Sequence, residues 1–138
     1  MDHRHDSSRR RRRHRRPPVG AFMSNMQDWN SYHDALIGHV GDFAKLSPDV
    51  LRGLNIMEAS GNETGKIEPK THEIIALAVA VTTRCDGCIA VHGRKAIELG
   101  ASEEEIAKAL GVAISLNAGA ALTYTARVFD AIKSLPSE

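Results

Sequence analysis

Aromatic residues make up only 4% of this 138-residue chain, although 42% of it is hydrophobic. Alanine, leucine, isoleucine and valine must therefore fill the interior, a composition that favours packed helices over a sheet sandwich. Cysteine is scarcer still, with 2 in the chain, which excludes the disulfide framework that staples small secreted domains. No apolar run approaches the ~20 residues that span a bilayer, so a soluble protein with no membrane partner is expected. No secretory signal is recognisable, and two thiols in such a chain point to a reducing, cytoplasmic setting. The length suits one compact domain rather than two.

Charge of one sign is missing only on average. The net charge is +1, from 18 basic and 17 acidic residues. Residues 1–22 hold eight arginines (Arg4, Arg9 to Arg13, Arg15, Arg16) against Asp2 and Asp6. Taking these away leaves 10 basic and 15 acidic residues in 23–138, so the body is near −5. Such a body has no electrostatic footprint for nucleic acid. The arginine block has no apolar periodicity and nothing to bury, so residues 1–22 are expected to be a disordered extension. The block lacks the aromatic interleaving of a nucleic-acid arm, and Met23 or Met26 is an alternative start.

Within 23–138 the apolar residues recur at helical steps. Trp29, Tyr32, Leu36, Val40 and Phe43 form one stripe from Gln27 to about Ala44, weakened near its end by Gly38 and Gly41. Ser47-Pro48-Asp49 supplies a cap, a first-turn proline and an acid for a second helix running to about Ser60. A loop then reaches Pro69. The apolar run Ile74 to Val81 fits a buried strand or a buried helix. Its alanines, and the absence of any partner strand, favour helix. A fourth helix starts near Cys85 and stops at Gly100. Ser102 with Glu105 makes a capping box for a fifth, and Asn117-Ala118-Gly119 is expected to break it before a sixth through Ile132. The segments 74–84, 106–116 and 118–129 show little polar face, so all three must be buried. A small body has limited interior to offer, and the sequence therefore predicts a homo-oligomer.

Both cysteines lie in Cys85-Asp86-Gly87-Cys88, and His92 follows four residues after the second. On a helix beginning near Cys85, the side chains of Cys85, Cys88 and His92 share one stripe. The exposed N–H groups at that helix end, with Arg84 beside it, favour a thiolate. The midpoint between Glu73 and His92 falls at Thr82-Thr83. An antiparallel helix hairpin turning there sets Glu73 opposite His92, with Cys88 one turn away. A carboxylate among Ile74, Ile75 and Leu77 needs a partner, and His92 or a bridging water is the obvious one. The acid would orient the imidazole, the imidazole would take the thiol proton, and Cys85 would resolve an oxidised Cys88. A structural zinc site on Cys85, Cys88, His92 and His72 or Glu73 is the competing reading, weakened because no second Cys/His pair exists. Inert buried cysteines are another. Arg94, Lys95 and Glu98 read as a solvated face.

Glu73, the Cys85-x-x-Cys88-x-x-x-His92 spacing, and the Glu98-Leu99-Gly100-Ala101 and Glu104-Glu105-Ile106 stretches resemble the carboxymuconolactone decarboxylase-like superfamily. Within it they match the alkylhydroperoxidase D-like core, over roughly Ser47 to Ile132. The resemblance implies an all-helical fold that works as a trimer or hexamer and reduces hydroperoxides at the expense of an external thiol or dithiol. It also implies roles: Cys88 peroxidatic, Cys85 resolving, Glu73 and His92 a proton relay. No metal, flavin or haem is called for. One departure stands out, since Gly87 occupies the place of a second histidine found just before the second cysteine in the best-studied members. The decarboxylase branch generally lacks the cysteine pair. The rival functions are thus a lactone decarboxylase or isomerase using Glu73 and His92 alone, and a helical assembly module tethered by the arginine arm.

Overall fold

A computed structural model describes residues 26–61 and 64–136; the arginine-rich block lies outside the described residues. Among them the chain is all-helical, with five helices: α1 (Trp29–Leu46), α2 (Pro48–Ala59), α3 (Pro69–Thr83), α4 (Asp86–Glu98) and α5 (Glu103–Lys133). The Ile74–Val81 run is helical, as its alanines imply. The expected sixth helix is absent because α5 runs unbroken for 31 residues. Asn117 does not break it: its side-chain amide donates to the Ala113 carbonyl at 2.7 Å, one turn back along the same helix. An interior glycine such as Gly119 costs only ~1 kcal/mol, too little to interrupt a helix this long. Gly38 and Gly41 likewise leave α1 intact.

Local chemistry sets the boundaries. Asp28 caps α1, accepting the Asn30 and Ser31 N–H groups at 3.2 and 3.1 Å and the Ser31 hydroxyl at 2.8 Å. Ser47 closes α1 through its N–H to the Phe43 carbonyl and precedes Pro48 at the start of α2, but its side chain makes no capping bond. Gly100 takes a left-handed φ of 87°. The Ala101 N–H then reaches back to the Ala96 carbonyl at 2.9 Å, closing α4 as a Schellman turn. Ser102 and Glu105 form a full capping box at 3.1 and 3.0 Å.

α3 packs against both α4 and α5, while α1 lies on α4 and α2. The core is small: Leu77, Ala96 and Ala101 are buried together, with Ile74 and Ile106 packed against them. Alanines on α3 and α4 let the two backbones approach closely, which brings α4 side chains within reach of α3. The first part of α5 rests on α3 and is fastened by an ion pair, Lys70 to Glu105 at 2.9 Å. Beyond Ala113 the helix stands clear, and every residue from Ile114 to Lys133 is exposed. The expected burial of 106–116 and 118–129 is thus not met inside one chain, and that of 74–84 is met only on one face, since Ile75, Val79 and Val81 are exposed. α5 is also the one helix among the described residues long and apolar enough to cross a membrane, judged by length and composition. It escapes a search for unbroken apolar runs because single polar residues interrupt it.

Candidate active site

The α3–α4 hairpin builds the site. α3 ends at Thr83, Arg84 adopts the left-handed conformation (φ 53°, ψ 48°), and the Cys85 N–H returns to the Ala80 carbonyl at 3.1 Å. This tight reversal makes Cys85 the N-cap of α4. Its sulfur accepts the Cys88 N–H at 3.1 Å, the place a serine or aspartate oxygen takes in an ordinary cap. Cys85 and Cys88 are joined as a disulfide with Cα atoms 5.2 Å apart. Cys85, Cys88 and His92 are all half-buried.

Running α4 back along α3 sets His92 against Glu73, and His92 Nδ1 lies 2.6 Å from Glu73 Oε2. Glu73 is 8% exposed and is the one buried charged side chain among the described residues. Burying a carboxylate is costly unless it is paired and hydrogen-bonded, and the imidazole supplies that bond. Because an ionised carboxylate only accepts, Nδ1 is the donor in this bond, and Nε2 is the ring nitrogen left for other partners. Cys88 lies four residues before His92 on α4, so the two share a face one turn apart. The structure therefore pairs Glu73 with His92 across the hairpin and joins Cys85 to Cys88 at its turn, with one turn of α4 between His92 and Cys88. His72 belongs elsewhere. Among the described residues no group of three or more His, Cys, Asp or Glu is gathered for a metal ion.

A cleft of about 580 Å³ opens on the other side of Glu73, lined by Asn55, Glu58, Ile67, His72, Glu73 and Lys95 among others. Lys95 is partly exposed, and its ammonium reaches Glu58 of α2 at 3.2 Å. Arg94 is exposed but fixed, donating to the Asn30 side chain of α1 at 3.1 Å. Sequence patterning missed both contacts because they join residues 37 and 64 positions apart. Position 87 is likewise shaped from afar. A Cβ there would lie 3.0 Å from Leu36 Cδ2 and 4.0 Å from the Tyr32 hydroxyl, so α1 covers the turn between the cysteines and leaves little room for a histidine.

The comparisons agree with this architecture. Residues 48–131 match the carboxymuconolactone decarboxylase family, and the chain belongs to it. An uncharacterised protein of Haemophilus influenzae is 44% identical over 104 residues, covering 75% of this chain and 92% of that protein. A carboxymuconolactone decarboxylase family protein of Legionella pneumophila, solved in its apo form, superposes with a TM-score of 0.61 at 28% identity. That match covers 76% of this chain and 94% of the Legionella chain. A Methanobacterium thermoautotrophicum structure gives a TM-score of 0.57 at 30% identity, covering 63% of this chain and 98% of its own. The matched residues take in α3 and α4 with the whole Glu73, Cys85, Cys88 and His92 set. They exclude α1.

Proposed function

We propose that the chain is a thiol-dependent hydroperoxide reductase, or a closely related disulfide oxidoreductase. The observation that supports it is the 2.6 Å contact between Glu73 and His92, one helical turn from a cysteine that is already half of a disulfide. In the reduced protein, Glu73 holds the imidazole with Nε2 toward Cys88, and Nε2 takes the thiol proton. The Cys88 thiolate attacks the terminal oxygen of the peroxide; an S–O bond forms and the O–O bond breaks. The departing alkoxide recovers the proton from His92 as an alcohol, and Cys88 is left as a sulfenic acid. The Cys85 thiol displaces water to give the disulfide. An external dithiol then reduces it, so each turnover converts one peroxide and one dithiol into an alcohol, water and a disulfide.

In this reading the enzyme acts as a homo-oligomer, a trimer or hexamer. Large apolar side chains stand exposed along the outer part of α5, with Leu122 at 73% and Phe129 at 61%, and other copies of the chain cover them. Hydroperoxide consumption with a dithiol reductant tests the chemistry. Wild type turns over, and Cys88→Ser loses turnover altogether; turnover persisting in Cys88→Ser refutes it. One observation favours a second reading. The cleft is lined by Glu73 but by neither sulfur, which suits a lactone decarboxylase or isomerase in which Glu73, backed by His92, does acid–base work without the cysteines. Decarboxylation surviving in a Cys85→Ser/Cys88→Ser variant would establish that alternative.

A further inference from the structure

We infer that Tyr32, on α1 and outside residues 48–131, which match the family, is a catalytic residue whose phenol donates a hydrogen bond to the peroxide oxygen expelled when Cys88 captures the terminal one. The inference rests on the peroxide-reductase reading. Its starting point is the cover that α1 places over the turn between the two sulfurs. Leu36 closes on Gly87, with Cδ2 3.0 Å and Cδ1 3.8 Å from the position of a Cβ, and the Tyr32 hydroxyl reaches to 4.0 Å of the same point. The arrangement is held from both sides. Arg94 of α4 bonds Asn30 of α1, and the Tyr32 ring meets Trp29 edge-on with centroids 6.1 Å apart. Tyr32 is half-buried, and its hydroxyl reaches the residue that directly precedes Cys88. It is a donor held by α1 beside the turn that carries both sulfurs.

The chemistry has a use for such a donor. When the thiolate attacks, negative charge develops on the leaving oxygen before any proton arrives, and a preorganised hydrogen bond is worth most at that moment. His92 is occupied on one side by Glu73 and on the other by the thiol proton, so a second donor shortens the interval in which the alkoxide is unsupported. The phenol keeps its own proton throughout. The proton that ends on the alcohol is the one removed from Cys88. Gly87 is part of the same device, since any side chain at that position would meet Leu36 and come between the phenol and the turn.

The test uses the full chain with Cys85→Ser, which retains an oxygen at the N-cap of α4 and prevents the disulfide, so that Cys88 sulfenic acid accumulates after one turnover. Two rates are measured, with and without Tyr32→Phe: sulfenic acid formation with cumene hydroperoxide, followed by dimedone trapping, and alkylation of Cys88 by iodoacetamide. Alkylation needs the thiolate and releases iodide, with no oxygen to stabilise. Loss of the phenol should slow the peroxide step about a hundred- to a thousandfold and leave alkylation unchanged. Equal slowing of both, or no slowing of the peroxide step, overturns the role of Tyr32 while leaving the reductase reading standing. No sulfenic acid even with Tyr32 present overturns both.

Discussion

The α3–α4 hairpin and the outer part of α5 are similarly rich in alanine, leucine, isoleucine and valine, but they put that apolar surface to different use. In the hairpin, Leu77 and Ala96 bury each other's surroundings within one chain, and the spacing they enforce holds Glu73 against His92. In α5 from Ile114 to Lys133 every residue remains exposed. The same hydropathy thus builds a site in one region and, in our reading, an assembly surface in the other. Periodicity distinguishes helix from strand, but it does not say whose surface a helix is buried against.

Three substitutions probe that contrast. The largest effect is expected at the outer helix: Leu122→Asp, at a side chain 73% exposed in the single chain, should abolish association, read as molar mass by light scattering. An unchanged mass would mean that this face is not an interface between copies. Next comes Leu77→Ala in the hairpin core. Truncating a leucine only 6% exposed should cost about 2–5 kcal/mol in denaturant unfolding, with no change in the oligomer formed by the folded fraction. The smallest effect concerns the junction of α5 with α3. Glu105 is held below the usual glutamate range, first by the Ser102 N–H and then by the Lys70 side chain. Its folded pKa lies below its unfolded one, so its contribution is present above the ordinary glutamate range and is lost as pH falls through the folded value. Glu105→Gln should therefore be less stable than wild type at neutral pH and lose less on acidification, as followed by thermal melts across that range.

Much of this was legible because it is local. The helical character of 74–83, the stop at Gly100 and the Ser102–Glu105 box each depend on residues within a few positions of one another. The pairing of Glu73 with His92 was legible too, but the turn was misplaced. It was expected at Thr82-Thr83, whereas α3 runs through Thr83 and the chain reverses at Arg84-Cys85, because both threonine hydroxyls bond back to carbonyls of their own helix and so continue it. The joining of two expected helices into α5 was not legible, because Asn117 can disrupt a helix or bond its own preceding turn, and the sequence does not choose. The Asp28 cap was passed over in favour of the apolar stripe behind it. Lys95 with Glu58, Arg94 with Asn30, and Leu36 over Gly87 belong to tertiary docking of α1 and α2, for which no short-range pattern exists.

The central claim is that the buried carboxylate of Glu73 acts through His92 on Cys88. Its most direct test is the rate at which fully reduced protein consumes one equivalent of hydroperoxide, compared between wild type and Glu73→Gln, which keeps the shape of the side chain and removes its charge. The account predicts a loss of about a hundredfold or more in that single turnover, with the oligomer and the fold unchanged. Equal rates in the two proteins would contradict it.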